Sequence, residues 1–128
     1  MARILIVDDC PLQRAVAQKV VESLGHRAIV SADGASGVEA ALREQPDLIL
    51  MDVVLPKLDG YAATRALAND PALRHIPVVM VTGRNQPSDC AWGFRQGAVA
   101  YVTKPVSAAA LAGVIVEVLG GAPAVEPG

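Results

Sequence analysis

An open α/β fold, with five parallel strands and helices on both faces, is what this sequence predicts, and three observations predict it. Five short apolar runs recur along the chain, each followed by a longer stretch with helical spacing, which is the alternation that builds β-α-β units. Three of the runs, ILIV, LILM and VVMV, are unbroken, as strands buried on both faces are. The hydrophobic share is 52% while aromatics make up only 3%, so the core is one of Ala, Val, Leu and Ile, suited to helices packed on β-branched strands. At 128 residues the chain has the size of one domain, able to bury roughly two thirds of its unfolded surface.

The first strand lies in ARILIV. A helix then starts near Pro11, a residue favoured at the first helical position, with Asp9 or Cys10 as its cap, and Gly25 suits its stop. HRAIVSA is a second strand, and the helix after Asp33 carries Val38, Ala41 and Leu42 at helical spacing and ends before Pro46. PDLILMD supplies the third strand and is followed by a helix from about Gly60 to Leu67. IPVVMVT is the fourth, with a helix from Ser88 to Gln96, and VAYVTK is the fifth, with a helix from Ser107 to Leu119. The second and fifth strands are flanked by polar residues and are expected at the sheet edges. Residues 1 to 119 are expected to form the domain, and the tail GGAPAVEPG, 120 to 128, is expected to be disordered because it is too rich in Gly and Pro to pack.

The balance of 11 basic and 13 acidic residues gives a net charge of -2, with no basic stripe, which argues against direct contact with nucleic acid or a membrane surface. MARILIVDDC meets a charged pair too soon for a signal peptide, and no window approaches the ~20 apolar residues of a membrane span. A cytoplasmic location is expected. Cys10 and Cys90 fit a reducing compartment better than a disulfide framework.

In an open doubly wound sheet, ligands bind beyond the C-terminal ends of the strands. Asp8 and Asp9 end the first run, Asp52 the third and Thr82 the fourth, and Lys104 follows the fifth, so all five fall on one rim. Each alone has an ordinary explanation, as a helix cap, a turn residue or a solvated loop lysine. Their convergence from four strands is what carries chemistry. Three clustered carboxylates repel one another unless a cation sits among them, and an all-oxygen site with few protein ligands suits Mg2+ rather than Zn2+. A lysine and a hydroxyl nearby can hold the oxygens of a transferring phosphoryl group. An ionised Asp52 could then attack phosphorus, giving an aspartyl phosphate.

The stretches ILIVDD, LILMDVVLPKLDG, VVMVTG and AYVTKP make the chain, over residues 2 to 119, resemble the response-regulator receiver domains of bacterial two-component signalling. The resemblance implies a flavodoxin-like strand order, 2-1-3-4-5. It also implies that Asp52 accepts a phosphoryl group from a sensor histidine kinase, with Mg2+ held by Asp8, Asp9, Asp52 and the backbone carbonyl of Val54. Thr82 is then the hydroxyl that moves to the phosphoryl group, Lys104 its ion-pair partner and Tyr101 the aromatic whose inward rotation reports activation. Lys104-Pro105 is expected to be a cis bond. Output is expected through the face of the fourth helix, fifth strand and fifth helix, here residues around Cys90 to Gln96, Tyr101 and Ala108 to Val118, with Trp92 on it. The resemblance implies no enzyme turnover beyond self-catalysed phosphotransfer and slow autodephosphorylation, no effector domain, and a monomer or weak phosphorylation-dependent dimer. WGFRQGAVAYVTKPV further resembles stand-alone receivers of twitching-motility, type IV pilus chemosensory systems.

Some positions depart from the commonest pattern. Cys10 stands where an acid or serine is usual and is read as a small buried neighbour of the helix cap. Val54 and Arg84 occupy the positions that flank the phosphoryl group, and a valine cannot hydrogen-bond an attacking water, which points to a long-lived phosphoryl state. Rival classes fit poorly. An aspartate-nucleophile phosphatase needs DxD where this chain has DVV, and a flavin carrier needs a phosphate loop where it has DDCPLQ. A receiver-like interaction module that is never phosphorylated, or a phosphate sink for a shared kinase, are the alternatives that remain.

Overall fold

The computed structural model describes residues 1–120, so the tail expected to be disordered lies, from residue 121 on, outside the described residues. Gly120, assigned to that tail from sequence, instead caps the last helix. The elements are β1 (Arg3–Val7), α1 (Pro11–Ser23), β2 (Arg27–Ser31), α2 (Gly34–Glu44), β3 (Leu48–Met51), α3 (Gly60–Asn69), β4 (Val78–Thr82), α4 (Pro87–Gln96), β5 (Ala100–Thr103) and α5 (Ala108–Leu119). All four strand pairings are parallel, in the order β2-β1-β3-β4-β5, with the expected second and fifth strands at the edges.

Alternate residues of each central strand serve opposite faces. Leu5, Val7, Ile49, Met51 and Met80 meet Ala40, Ala41, Ala63 and Leu67 of α2 and α3. Ile4, Ile6, Leu48, Leu50 and Val79 meet Val20, Val21, Leu111 and Ile115 of α1 and α5. Each Val, Leu, Ile or Met side chain so buried contributes about 1.5–3 kcal/mol of hydrophobic free energy. Small residues set the spacing on the α2 side. A Cβ on Gly37 would stand 2.9 Å from Val7 Cγ2, so a side chain there would lift the helix off β1.

The helix ends follow their capping residues. Asp33, Asp59 and Ser107 accept hydrogen bonds from the backbone N–H groups of Ser36, Ala62 and Ala110 at 2.8, 2.8 and 3.0 Å. Gly25 and Gly97 end α1 and α4 at φ 84° and 118°, a region that costs a side chain its ease of packing but costs glycine nothing.

Three sequence expectations need correction. The α3 helix continues past Leu67 to Asn69. Leu42 is 47% exposed, because the inward stripe of α2 runs through Gly37, Ala40 and Ala41 and leaves Leu42 one step round the helix. Cys10 is exposed rather than buried: it is itself the cap residue of α1, whose first residues Pro11, Leu12 and Gln13 are exposed too, and its thiol makes no capping bond. Among the described residues no helix is long and apolar enough to cross a membrane.

Candidate functional site

Strand register assembles the site. Val7 pairs with Met51, so the residues that follow them, Asp8 and Asp52, emerge side by side, and the Asp52 N–H donates to Val7 O at 3.0 Å. Thr82 pairs with Thr103, which brings Lys104 to the same rim with its N–H on Thr82 O at 2.8 Å. The five residues named from sequence thus lie at one edge of the sheet. The Lys104-Pro105 bond that follows is cis.

Lys104 Nζ donates to Asp8 Oδ2 at 2.8 Å and to Asp52 Oδ2 at 3.2 Å, tying β5 to β1 and β3. Asp52, only 9% exposed, accepts from the N–H of Val53 at Oδ1, 2.7 Å away. Asp8 Oδ1 accepts from the N–H of Cys10 at 3.0 Å, and the Asp8 carbonyl accepts from the Arg14 guanidinium at 2.9 Å. Asp9 is exposed at the mouth of the site. One carboxylate oxygen from each of Asp8, Asp9 and Asp52 lies within 4.8 Å of the others. Burial by itself would lower the Lys104 ammonium, but the hydrogen bond to Asp8 and the charges of Asp52 and Asp8 outweigh it, so its pKa is raised.

The loop that follows Asp52 is held by close approach. The Gly60 N–H donates to Val53 O at 2.8 Å, and a Cβ on Gly60 would collide with the Asp52 carbonyl oxygen. Lys57 takes φ 68° in that loop, and Val54 is 59% exposed at the site rim. Thr82 is fully buried, and its Oγ1 accepts from the Arg84 N–H at 3.3 Å. The Arg84 side chain leans away along α4, with Nη1 3.8 Å from Asp89 Oδ1.

Tyr101 lies on β5 with its ring over Gly93 of α4, where a Cβ would stand 2.9 Å from the ring. Its hydroxyl donates to Arg84 O at 2.9 Å, which ties the aromatic to the loop that carries Thr82. Burial, and then the neighbouring Tyr61 hydroxyl, push the Tyr101 phenol well above its ordinary 10.0, so it remains a donor.

Two contributors escape the sequence reading. Tyr61 donates its hydroxyl to Asp89 O at 3.0 Å and sits 3.5 Å from the Tyr101 hydroxyl; with both protons given to carbonyls, the two oxygens are in contact rather than bonded. Its scarcity was the available signal, since the chain has only two tyrosines and they meet here. Arg14 is the other, and an arginine one turn into a helix gives no such signal. Trp92, expected on the output face, lines a groove between α3 and α4.

A parallel five-stranded sheet with an acid cluster, a hydroxyl and a lysine at its C-terminal edge defines a receiver domain. The family model for the response regulator receiver domain matches residues 4–116, and the chain belongs to that family, the receivers of two-component signalling. Its relatives include Protein PilH of Pseudomonas aeruginosa, 46% identical over 121 residues, which covers 94% of this chain and 100% of PilH. The polar-differentiation response regulator DivK of Brucella anthropi is 36% identical over 104 residues, covering 81% of this chain and 85% of DivK. Among solved structures, the receiver domain of a signal transduction histidine kinase from Syntrophus aciditrophicus superposes with a TM-score of 0.88 at 34% identity, over 99% of this chain and 96% of that one. The receiver domain of a sensor histidine kinase of Pseudomonas aeruginosa, which has a magnesium ion coordinated in its active-site cleft, gives a TM-score of 0.86 at 34% identity, over 93% and 98%.

Proposed function

We propose that this chain is a phosphorylation-activated switch in which Asp52 accepts a phosphoryl group from a histidine kinase. The observation that carries the reading is Lys104 Nζ shared between Asp8 and Asp52, with Asp9 alongside. Three carboxylates on a single ammonium leave a donor set of hard oxygens that fits one divalent cation. Asp8, Asp9, Asp52 and the Val54 carbonyl would hold Mg2+, a reading supported by the similar receiver of Pseudomonas aeruginosa that has a magnesium ion coordinated in its active-site cleft. When bound, the ion supplies neutralisation of charge on the phosphoryl oxygens.

The chain's own groups do the rest. An Asp52 carboxylate oxygen forms a bond to phosphorus while the bond from phosphorus to the donor's imidazole nitrogen breaks, and that nitrogen keeps the electron pair. Lys104 is placed to trade its longer contact, with Asp52, for a phosphoryl oxygen. Thr82 offers its hydroxyl from the adjacent strand end. A change at Thr82 reaches Tyr101 through Arg84, whose N–H bonds the threonine hydroxyl and whose carbonyl bonds the tyrosine. Output then follows as a population shift of the face formed by α4, β5 and α5.

Similarity to PilH along the whole of that protein, with the motif stretch before Pro105, supports a place in a type IV pilus chemosensory system. The test of the acceptor is borohydride reduction of the phosphorylated protein, which turns an aspartyl phosphate into homoserine. Peptide mapping is expected to find homoserine at position 52, and homoserine elsewhere, or none, would overturn the assignment.

A further inference from the structure

The groove between α3 and α4 has features that the phosphoryl chemistry does not use. It is an open cleft of about 390 Å³ with a second recess of about 230 Å³ beside it, and Arg65, Trp92 and Gln96 line both. Trp92 is 44% exposed, and the Arg95 guanidinium lies 5.7 Å from the centre of its ring. Arg65 and Arg95 have no carboxylate within 4.0 Å among the described residues, although acids outnumber bases in the chain. Asp59 stands at one end of the recess with its carboxylate already accepting from the Ala62 N–H. The Gln96 side chain is mostly covered, and its amide, which makes no hydrogen bond among the described residues, still faces the groove and solvent.

We propose that this groove binds an acidic peptide segment of a partner protein. Two guanidinium groups without a carboxylate partner among the described residues select carboxylates, the exposed indole takes an apolar side chain, and Gln96 can both donate to and accept from a peptide group of the ligand. A nucleic acid fits less well, because the lining residues supply only two arginines and set the Asp59 carboxylate beside one of them. The surface is distinct from the α4-β5-α5 face: Phe94, two residues after Trp92 and so about 200° round the helix, marks the opposite flank. The two flanks are mechanically close, since Gly93 between them carries the Tyr101 ring.

Trp92 is the only tryptophan, so its emission reports on the groove directly. The probe is a blocked peptide of about twelve residues, the length of a short docking segment, rich in glutamate around a central leucine pair. A saturable change in emission is expected, with affinity at least about tenfold weaker, or ~1.4 kcal/mol, in the R65E/R95E double variant and for the same peptide with glutamine in place of glutamate. Circular dichroism of the double variant checks that it is folded, and anisotropy of a labelled peptide with Trp92→Ala repeats the measurement without relying on emission. Absence of saturation, equal binding by R65E/R95E, or a stronger response to oligodeoxythymidylate or to phosphatidylglycerol vesicles would overturn the proposal. Unphosphorylated Asp52→Asn protein is expected to bind as the parent does, which separates this groove from the acceptor assignment.

Discussion

Lys104 is bound more closely to Asp8 than to Asp52, at 2.8 Å against 3.2 Å, so the ammonium is anchored on β1 and reaches across to the acceptor. Under the proposed function, this asymmetry would let the lysine follow an incoming phosphoryl group without leaving the site. It also makes the lysine a competitor for the carboxylates that would hold a divalent cation.

Removing that competitor exposes the carboxylates. Lys104→Ala is expected to bind Mg2+ more tightly than the parent by about tenfold, a modest part of the ~4 kcal/mol that two charges 4 Å apart exchange at the dielectric of a protein surface. Calorimetric titration measures it, and weaker binding would show that the lysine assembles the carboxylates rather than competing for them.

Val54 presents an exposed aliphatic side chain at the rim, where it cannot orient water. Val54→Asn is expected to shorten the lifetime of the phosphorylated protein by roughly tenfold, less than a fully positioned base supplies. Loss of the phosphoryl adduct over time reads this, and an unchanged lifetime removes Val54 from the account of slow hydrolysis.

Gly60 and Gly113 make a matched pair for stability. A methyl on Gly60 strikes the Asp52 carbonyl, whereas one on Gly113 meets nothing within 4 Å. Gly60→Ala should cost about 1–3 kcal/mol or more and slow phosphorylation by displacing Asp52. Gly113→Ala should stabilise α5 by up to about 1 kcal/mol. Urea unfolding of both variants measures the difference.

Tyr101 has its phenol pKa raised by burial and then by the Tyr61 hydroxyl. A group whose folded pKa lies above its unfolded 10.0 adds stability that is whole below pH 10.0 and is lost as the pH climbs through the folded value. Tyr101→Phe cannot lose that contribution, so its stability should fall less steeply than the parent's above pH 10.0. Parallel curves for the two proteins would mean that the hydroxyl is in equal contact with water before and after unfolding.

Fold and rim were legible for a common reason: each strand is a short apolar run, and the residue that ends it must lie at the sheet edge. Asp8, Asp52, Thr82 and Lys104 therefore needed only the order of elements to be brought together. Legibility failed where a neighbouring element decides orientation. Which flank of α4 carries Trp92 depends on how that helix crosses α3, and Cys10 is exposed together with Pro11, Leu12 and Gln13 at the start of α1. Tyr61 touches Tyr101 only because Gly60 lets α3 start hard against β3, a close approach that spacing along the chain does not reveal.

The proposed switch requires that Asp52 be the acceptor and that its acid cluster work with a divalent cation. The most direct measurement is intact mass after incubation with acetyl phosphate, with and without Mg2+, for the parent and for Asp52→Asn. A single phosphoryl adduct that needs Mg2+ and disappears in the variant is the predicted result. No adduct on the parent, together with no Mg2+ binding, would contradict the account and leave an interaction module that works without phosphorylation.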